Sequence, residues 1–191
     1  MAMHRDRKTK ETNVSVDFDF GIEPSVSVST GVPFFDHMLT SMAFHGGMVC
    51  TIRASGDLEV DPHHLVEDVG IVLGGCIGDY VEASGPIGRF GSSIVPMDDA
   101  LSEVTVDVSG RAYLVYDVVY PQHRVGTLDI HLLRDFLQGF VTNGRLNLHA
   151  HCRYGLNSHH MAESLFKALG RSLAIACEPV GGEIRSTKGR L

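Results

Sequence analysis

The stretch DPHHLVEDVG, residues 61–70, sets the adjacent histidines His63 and His64 ahead of Glu67. The stretch NSHHMAESLF, residues 157–166, sets His159 and His160 ahead of Glu163 in the same spacing. Each opens an apolar run of helical period. On a helix His63 and Glu67 are i,i+4 and His64 and Glu67 are i,i+3, so both pairs lie near one face. The offset between the copies is 159 − 63 = 96 residues, and at that offset Leu73-Gly74 falls on Leu169-Gly170. A polar cluster repeated at the head of two apolar helices marks a chain built by internal duplication.

The segments around the two clusters recur in the same order. VSVDFDF (14–20) alternates apolar and polar residues as a half-buried strand does, and SVSVST (25–30) follows it across the turn GIEP. PFFDHMLTSMAFHGG (33–47) reads as a helix, with Pro33 in its first turn and Gly46 near its stop. MVCTIRASGDLEV (48–60) is a third strand, and residues 62–81 form a second helix whose Gly74, Gly75 and Gly78 permit close packing. ASGPIGRFGSSIVP (83–96), rich in Gly, Ser and Pro, reads as the boundary between halves. Beyond it come strands LSEVTVDVSG (101–110) and RAYLVYDVVY (111–120) and helix GTLDIHLLRDFLQGFVT (126–142). Strand RLNLHAHCRY (145–154) and helix SHHMAESLFKALGRSLAIAC (158–177) complete the set. The pattern predicts one domain, 1–191, made of two repeats at about 11–85 and about 95–191. Each repeat is a small, mostly antiparallel sheet with helices on one face, and the two helix layers bury each other.

Composition narrows the function. Hydrophobic residues at 43% against 20% charged describe a globular chain, and a net charge of −7 argues against nucleic acid held on a basic face. The start MAMHRDRKTKETN lacks the apolar stretch of a signal peptide, and GIVLGGCIGDYV is too short and Gly-rich to span a bilayer. Cys50, Cys76, Cys152 and Cys177 form no CxxC and read as reduced thiols of a cytoplasmic protein.

Imidazole with carboxylate suits a borderline-to-hard ion such as Mn, Fe, Co or Zn. Neighbouring histidines on a helix point about 100° apart, so each cluster serves two ions rather than one. Two or three ligands from one helix leave a coordination shell incomplete, and the remainder must come from the other repeat or another subunit. The zinc-protease orders HExxH and HxxEH are absent. His37, in FFDHML, lies on the preceding helix of the first half. The corresponding helix of the second half offers Asp135, in LLRDFL, with His131 one turn earlier as its competitor. His149 and His151 are i,i+2 on a strand, share one face and read as structural. His4 and His123 read as solvated loop residues.

The motifs FFDHML, GDLEVDPHHLVEDVG, PMDDAL, SGRAYLVYD, NSHHMAESLFKALGRSL and the terminal STKG, in that order, resemble the imidazoleglycerol-phosphate dehydratase family of histidine biosynthesis. The resemblance implies an α+β fold of duplicated ribosomal-protein-S5-domain-2-like halves, each a four-stranded mixed sheet with two helices on one face. It implies a hydro-lyase that converts imidazole glycerol phosphate to imidazole acetol phosphate with two Mn²⁺ ions per active site. It implies a homo-oligomeric shell of two dozen subunits with active sites at their interfaces, and neither nucleic-acid nor membrane partners.

The metal ligands carried over are His37, His63, His64, Glu67, His159, His160 and Glu163, with Asp135 standing where the family often has histidine. Metals on the ring nitrogens would hold the substrate as an imidazolate able to expel the neighbouring hydroxyl, before general acid–base transfer. Glu11, Glu67 and Glu163 are the candidates for that proton transfer. The substrate contacts carried over are Glu11, His37, His45, Arg89, Arg111, His159, Lys167, Ser186, Thr187 and Lys188, the cations among them suited to a phosphate dianion. Asp98 and Asp99 fall where the family usually has Asp-Glu and read on their own as a turn-capping pair. Two rivals stand beside this: a divergent metal-dependent lyase or hydrolase on the same scaffold, and a non-enzymatic metal-assembled shell. The second has no need of the phosphate-side residues.

Overall fold

Each half begins with a strand that the hydropathy pattern does not reveal. The computed structural model describes residues 1–21 and 23–181. In it β1 (Met3–Lys8) pairs antiparallel with β2 (Thr12–Phe20) at a sheet edge. The sequence MHRDRK has no apolar alternation because only Met3 packs against the core and the rest of β1 is exposed. Its inner cations instead meet acids on a helix, Arg5 with Asp79 at 2.6 Å and Arg7 with Asp68 at 2.7 Å. Charges on an edge strand also discourage pairing with foreign strands.

The supposed boundary segment is likewise a strand. Residues Phe90–Met97 form β5, antiparallel to β6 (Ala100–Asp107). Its small residues serve close packing rather than a loop, since a side chain at Gly91 would run into the Ser172 carbonyl oxygen of the helix lying over it.

The remaining elements are β3 (Ser25–Ser29), α1 (Pro33–His45), β4 (Met48–Gly56), α2 (His63–Ser84), β7 (Tyr113–Asp117), β8 (Arg124–Val125), β9 (Leu128–Asp129), α3 (Leu132–Gly144), β10 (Asn147–Tyr154) and α4 (Ser158–Cys177). The sheets run β1-β2-β4-β3 and β5-β6-β10-β7, so both halves share one topology: first, second, fourth, third. Each sheet is mixed rather than mostly antiparallel at its far edge, because β3 joins β4 and β7 joins β10 in parallel. The segment GTLDI, expected to begin a helix, instead forms the β8–β9 hairpin, turned at Gly126 with φ 58°, and α3 starts only at Leu132.

The helices of each half cover their own sheet, and the two helix layers face each other. α1 lies along α4 and α2 along α3, each pair parallel, and these contacts depend on missing side chains. A Cβ on Gly170 would strike the Met42 carbonyl oxygen, and a Cβ on Gly74 would strike that of Phe140. These are equivalent contacts across the duplication. Gly70 and Gly78 approach α3 in the same manner, whereas Gly75 faces Arg5 of β1. Between the pairs, Phe35 meets Phe136 edge-on at 5.4 Å and Phe136 stacks on Phe166 at 5.6 Å, all three fully buried.

All four helices start at the same end of the molecule. Gly56, at the end of β4, touches Glu11 and Leu65, and Gly31, before α1, touches Leu58. In the other half Gly155, before α4, touches Met161 and Ala100, and Gly126, before α3, touches Phe34. The two histidine clusters therefore share one end. Among the described residues no helix is long and apolar enough to cross a membrane, and all four cysteines are free.

Candidate active site

The α4 cluster is set by its cap. The Asn157 side chain accepts a hydrogen bond from the His159 N–H at 2.9 Å, which fixes the first turn. α2 is started instead by Asp61, whose carboxylate accepts from the His63 N–H at 2.7 Å. Both turns place adjacent imidazoles 6.0 Å apart, His63 to His64 and His159 to His160, so the duplication reaches side-chain geometry.

The structure brings three of the expected ligands together. Glu163 Oε2 lies 3.3 Å from His37 Nε2 and 3.2 Å from His159 Nε2. Ligand atoms of His37, His159 and Glu163 all fall within 4.8 Å of one another, a spacing open to a single cation. His37 comes from the first half and the other two from the second, because α1 runs along α4. Lys167 Nζ sits 2.8 Å from Glu163 Oε1, and His45, two turns beyond His37, lies near Lys167 and Arg171. Burial pushes the Glu163 carboxyl up, but Lys167 and His37 outweigh it and hold the group below the usual carboxylate range. Burial, with Lys167 and Arg171 adding to it, lowers the His45 imidazole. Phe34 packs edge-on against His159 at 5.1 Å and forms an apolar wall to the group.

The second cluster is looser. His63 and Glu67 are exposed. His64 Nδ1 is held by Asp57 at 3.1 Å, with Glu11 Oε2 at 3.8 Å, and the Asp57 hydrogen bond raises the imidazole above its ordinary value. Asp135 occupies the place of His37 in this half. The residues touching Gly170 and Gly74 are Met42 and Phe140, and five residues before each stand His37 and Asp135. His131 instead sits at the N-cap of α3. The half-buried Asp135 carboxylate makes no hydrogen bond or ion pair among the described residues. The equivalent of Lys167 is Ile71, so among the described residues no cation is paired with Glu67.

Two aspartates complete these sites. Asp57 orients His64, and Asp99 orients His160 through Nδ1 at 2.5 Å, with Asp98 at 3.5 Å from Nε2. Asp99 also accepts from the Leu156 and Asn157 backbone N–H groups, and so joins the β5–β6 turn to the head of α4. The His160 contact, followed by the Leu156 N–H, holds the Asp99 carboxyl down at about 2. A carboxylate on Nδ1 leaves Nε2 to face a metal, the usual outer-shell arrangement for a histidine ligand. The sequence signal for both was the need of any ligating histidine for such a partner. Asp99→Asn is expected to cost about 10- to 100-fold in Mn²⁺ affinity with the fold retained, as read by titration calorimetry.

Two expected phosphate ligands lie elsewhere. Arg89 (φ 70°) is bound to Asp107 at 2.7 Å, stacks over Phe90 at 4.7 Å, and donates its backbone N–H to Ala176 near the end of α4. Roughly 24 Å of helix at 1.5 Å per residue separates that point from His160. Arg111 is exposed in the β6–β7 loop at the same far end, where its carbonyl accepts from Asn147 at the start of β10. Ser186, Thr187 and Lys188 lie outside the described residues.

Comparison with known proteins decides the family. The family model for imidazoleglycerol-phosphate dehydratase matches residues 30–173. The chain belongs to the imidazoleglycerol-phosphate dehydratase family. The imidazoleglycerol-phosphate dehydratase of Lacticaseibacillus casei (strain BL23) is 48% identical over 185 residues, covering 96% of this chain and 95% of that one. That of Anaeromyxobacter dehalogenans (strain 2CP-C) is 47% identical over 188 residues, covering 97% and 89%. Among solved structures, the dehydratase from Staphylococcus aureus superposes with a TM-score of 0.86 at 35% identity, over 94% of this chain and all of that one. The Pyrococcus furiosus enzyme, solved in complex with (S)-C348, gives 0.85 at 37% identity over 98% of this chain. The duplicated α+β fold expected from the sequence is the fold of this dehydratase family.

Proposed function

We propose that this chain dehydrates imidazole glycerol phosphate to imidazole acetol phosphate with two Mn²⁺ ions per active site, each site being completed by a neighbouring copy in a cytoplasmic homo-oligomeric shell of two dozen subunits. Its place among the hydro-lyases of histidine biosynthesis follows from its family. The metal reading rests on donor chemistry. His37, His159 and Glu163 converge as two imidazoles and a carboxylate with no thiolate, a set suited to Mn²⁺. His63, His64, Glu67, Asp135 and His160 would supply the remaining ligands. Bound Mn²⁺ would add Lewis-acid polarisation of the substrate's imidazole ring and a template for its orientation.

The protein's own groups do the rest. Lys167 keeps Glu163 ionised, ready to ligate or to take a proton. Glu11, beside His64, and Glu67 are the other carboxylates placed for proton transfer. Asp57 and Asp99 hold the histidines in place.

The observation that carries the oligomeric reading is the separation of parts. The histidine ends stand at one end of the helices, while Arg89 and Arg111 stand at the other. A substrate whose phosphate meets those arginines while its ring meets the histidines must bridge two subunits. Intersubunit complementation tests this. Arg111→Ala and Glu163→Gln are each expected to be nearly inactive alone, and activity is expected to return when the two are unfolded together and reassembled. Mixtures as dead as their components would place both residues in one subunit's site. Metal-stripped wild type is expected to regain turnover with Mn²⁺, followed by the enol absorbance of the product.

A further inference from the structure

His149 and His151 lie outside the active-site clusters, on one face of β10 as their i,i+2 spacing requires. On β10 the inner face is Leu148 and Ala150, both buried, while Asn147, His149, His151 and Arg153 face away from the helices. The pair stands on the solvent side of the second sheet. They line an open groove of about 680 Å³ with Glu103, Thr105, Asp107 and Asp117.

Residues i and i+2 on a strand project from one face and can chelate a common ion. The two rings are 6.5 Å apart with planes inclined by 39°. Two imidazoles on one ion, with nitrogens about 2.0–2.1 Å from it, have centroids roughly 5 Å apart. Side-chain rotation of these exposed rings covers that difference on a picosecond-to-nanosecond scale.

The neighbouring charges favour a cation. Of the three acids in the groove, Glu103 is tied to Arg153 at 2.5 Å and Asp107 to Arg89 at 2.7 Å. Asp117 has no Lys or Arg partner among the described residues. It sits in register with His151 on β7, 3.3 Å from His151 Nδ1. A carboxylate at Nδ1 turns Nε2 outward and strengthens it as a ligand.

We propose that His149 and His151, with Asp117 orienting His151, form a second divalent-metal site on the outer face of this sheet. It takes a late transition ion such as Zn²⁺ and is separate from the helix-end clusters. Asp117 is spent on the His151 ring, so the ion's protein donors here are imidazole nitrogens alone, with no ligating carboxylate of the kind Glu163 offers, and nitrogen donors favour Zn²⁺, Ni²⁺ or Cu²⁺ over Mn²⁺.

The test uses the assembled, Mn²⁺-loaded protein. Zn²⁺ is added by equilibrium dialysis, and Zn and Mn contents are measured in wild type, His149→Ala, His151→Ala and Asp117→Asn. Exchange at the helix-end clusters is common to all four and cancels in the comparison. Wild type is expected to hold one more Zn²⁺ per chain than either His→Ala variant, and Asp117→Asn to bind that ion about tenfold more weakly. Melting temperatures of the variants report that the fold persists. Equal Zn contents in wild type and both His→Ala variants would overturn the site. An extra ion that either single His→Ala variant retains would overturn the chelating pair. Neither outcome bears on the dehydratase reading, whose ligands these substitutions leave intact.

Discussion

Glu163→Gln is expected to lower kcat by on the order of 10²–10⁴-fold, the usual cost of removing a group that transfers a proton in the transition state. The carboxylate stands at the centre of the α1–α4 group. One oxygen serves both His37 and His159, and the other serves Lys167. Glutamine keeps the shape and removes the charge. It leaves the Lys167 ammonium, with 16% of its side chain exposed, facing a neutral amide. Mn²⁺ affinity is expected to fall with activity, because an amide oxygen is a weaker ligand than a carboxylate.

The stability effect has a definite sign. The folded-state pKa of Glu163 lies below its ordinary value, so its contribution is present above the ordinary carboxylate pKa and is lost as pH falls through the folded value. In metal-free protein the melting-temperature gap between wild type and Glu163→Gln should therefore be widest near neutral pH and shrink on acidification. Turnover within a few-fold of wild type would remove Glu163 from both proposed roles.

Much of this architecture was legible in the sequence, and the exceptions have physical causes. The two HHxxE clusters announced the duplication because they sit at helix starts, where spacing fixes which side chains share a face. β1 was missed because its inner residues, Arg5 and Arg7, are neutralised by Asp79 and Asp68 rather than buried in apolar contact, which erases a period-two signal. β5 was missed because Gly91 and its small neighbours lie beneath α4, and close packing looks like a loop in composition. GTLDI was read as helix because its apolar spacing fits, and the β8–β9 hairpin around Gly126 overrides it.

Among the site residues, Asp135 at the place of His37 was readable from a count along the repeat, and the glycine contacts bear out that count. The pairing of His37 with the other half's cluster was not readable. It depends on α1 lying along α4, a tertiary fact with no local signature. Asp57 was also missed, since it stands in a loop six residues ahead of the cluster it supports. For His149 and His151 the i,i+2 spacing gives a shared face, but which face of the strand the helices cover is a tertiary fact with no local signature.

That helix pairing gives the second large expectation. Gly170→Ala should destabilise the protein by about 3 kcal/mol or more, beyond the usual cost of one extra buried methylene. For a chain of this length that is a fall of roughly 6–12 °C in Tm, compared at fixed protein concentration. The new Cβ would meet the Met42 carbonyl oxygen and the Gly46 nitrogen, both backbone, so no side chain can turn aside. Gly75→Ala in α2 is the contrast. Its Cβ would meet only the end of the Arg5 side chain, at 2.5 Å from a guanidinium nitrogen, which can swing away. The gain in helix propensity of about 1 kcal/mol offsets much of that cost. Gly170→Ala also acts on the site, because the close approach of α1 to α4 carries His37 to within 3.3 Å of Glu163. Forcing the helices apart opens that contact, so Mn²⁺ affinity should drop in the variant at temperatures where it is still folded. A Gly170→Ala protein within about 0.5 kcal/mol of wild type, the range of an ordinary surface change, would mean that α1 and α4 are spaced more widely than the backbone contact at Gly170 requires. A variant that is destabilised yet binds Mn²⁺ normally would mean that the His37 contact does not depend on that spacing.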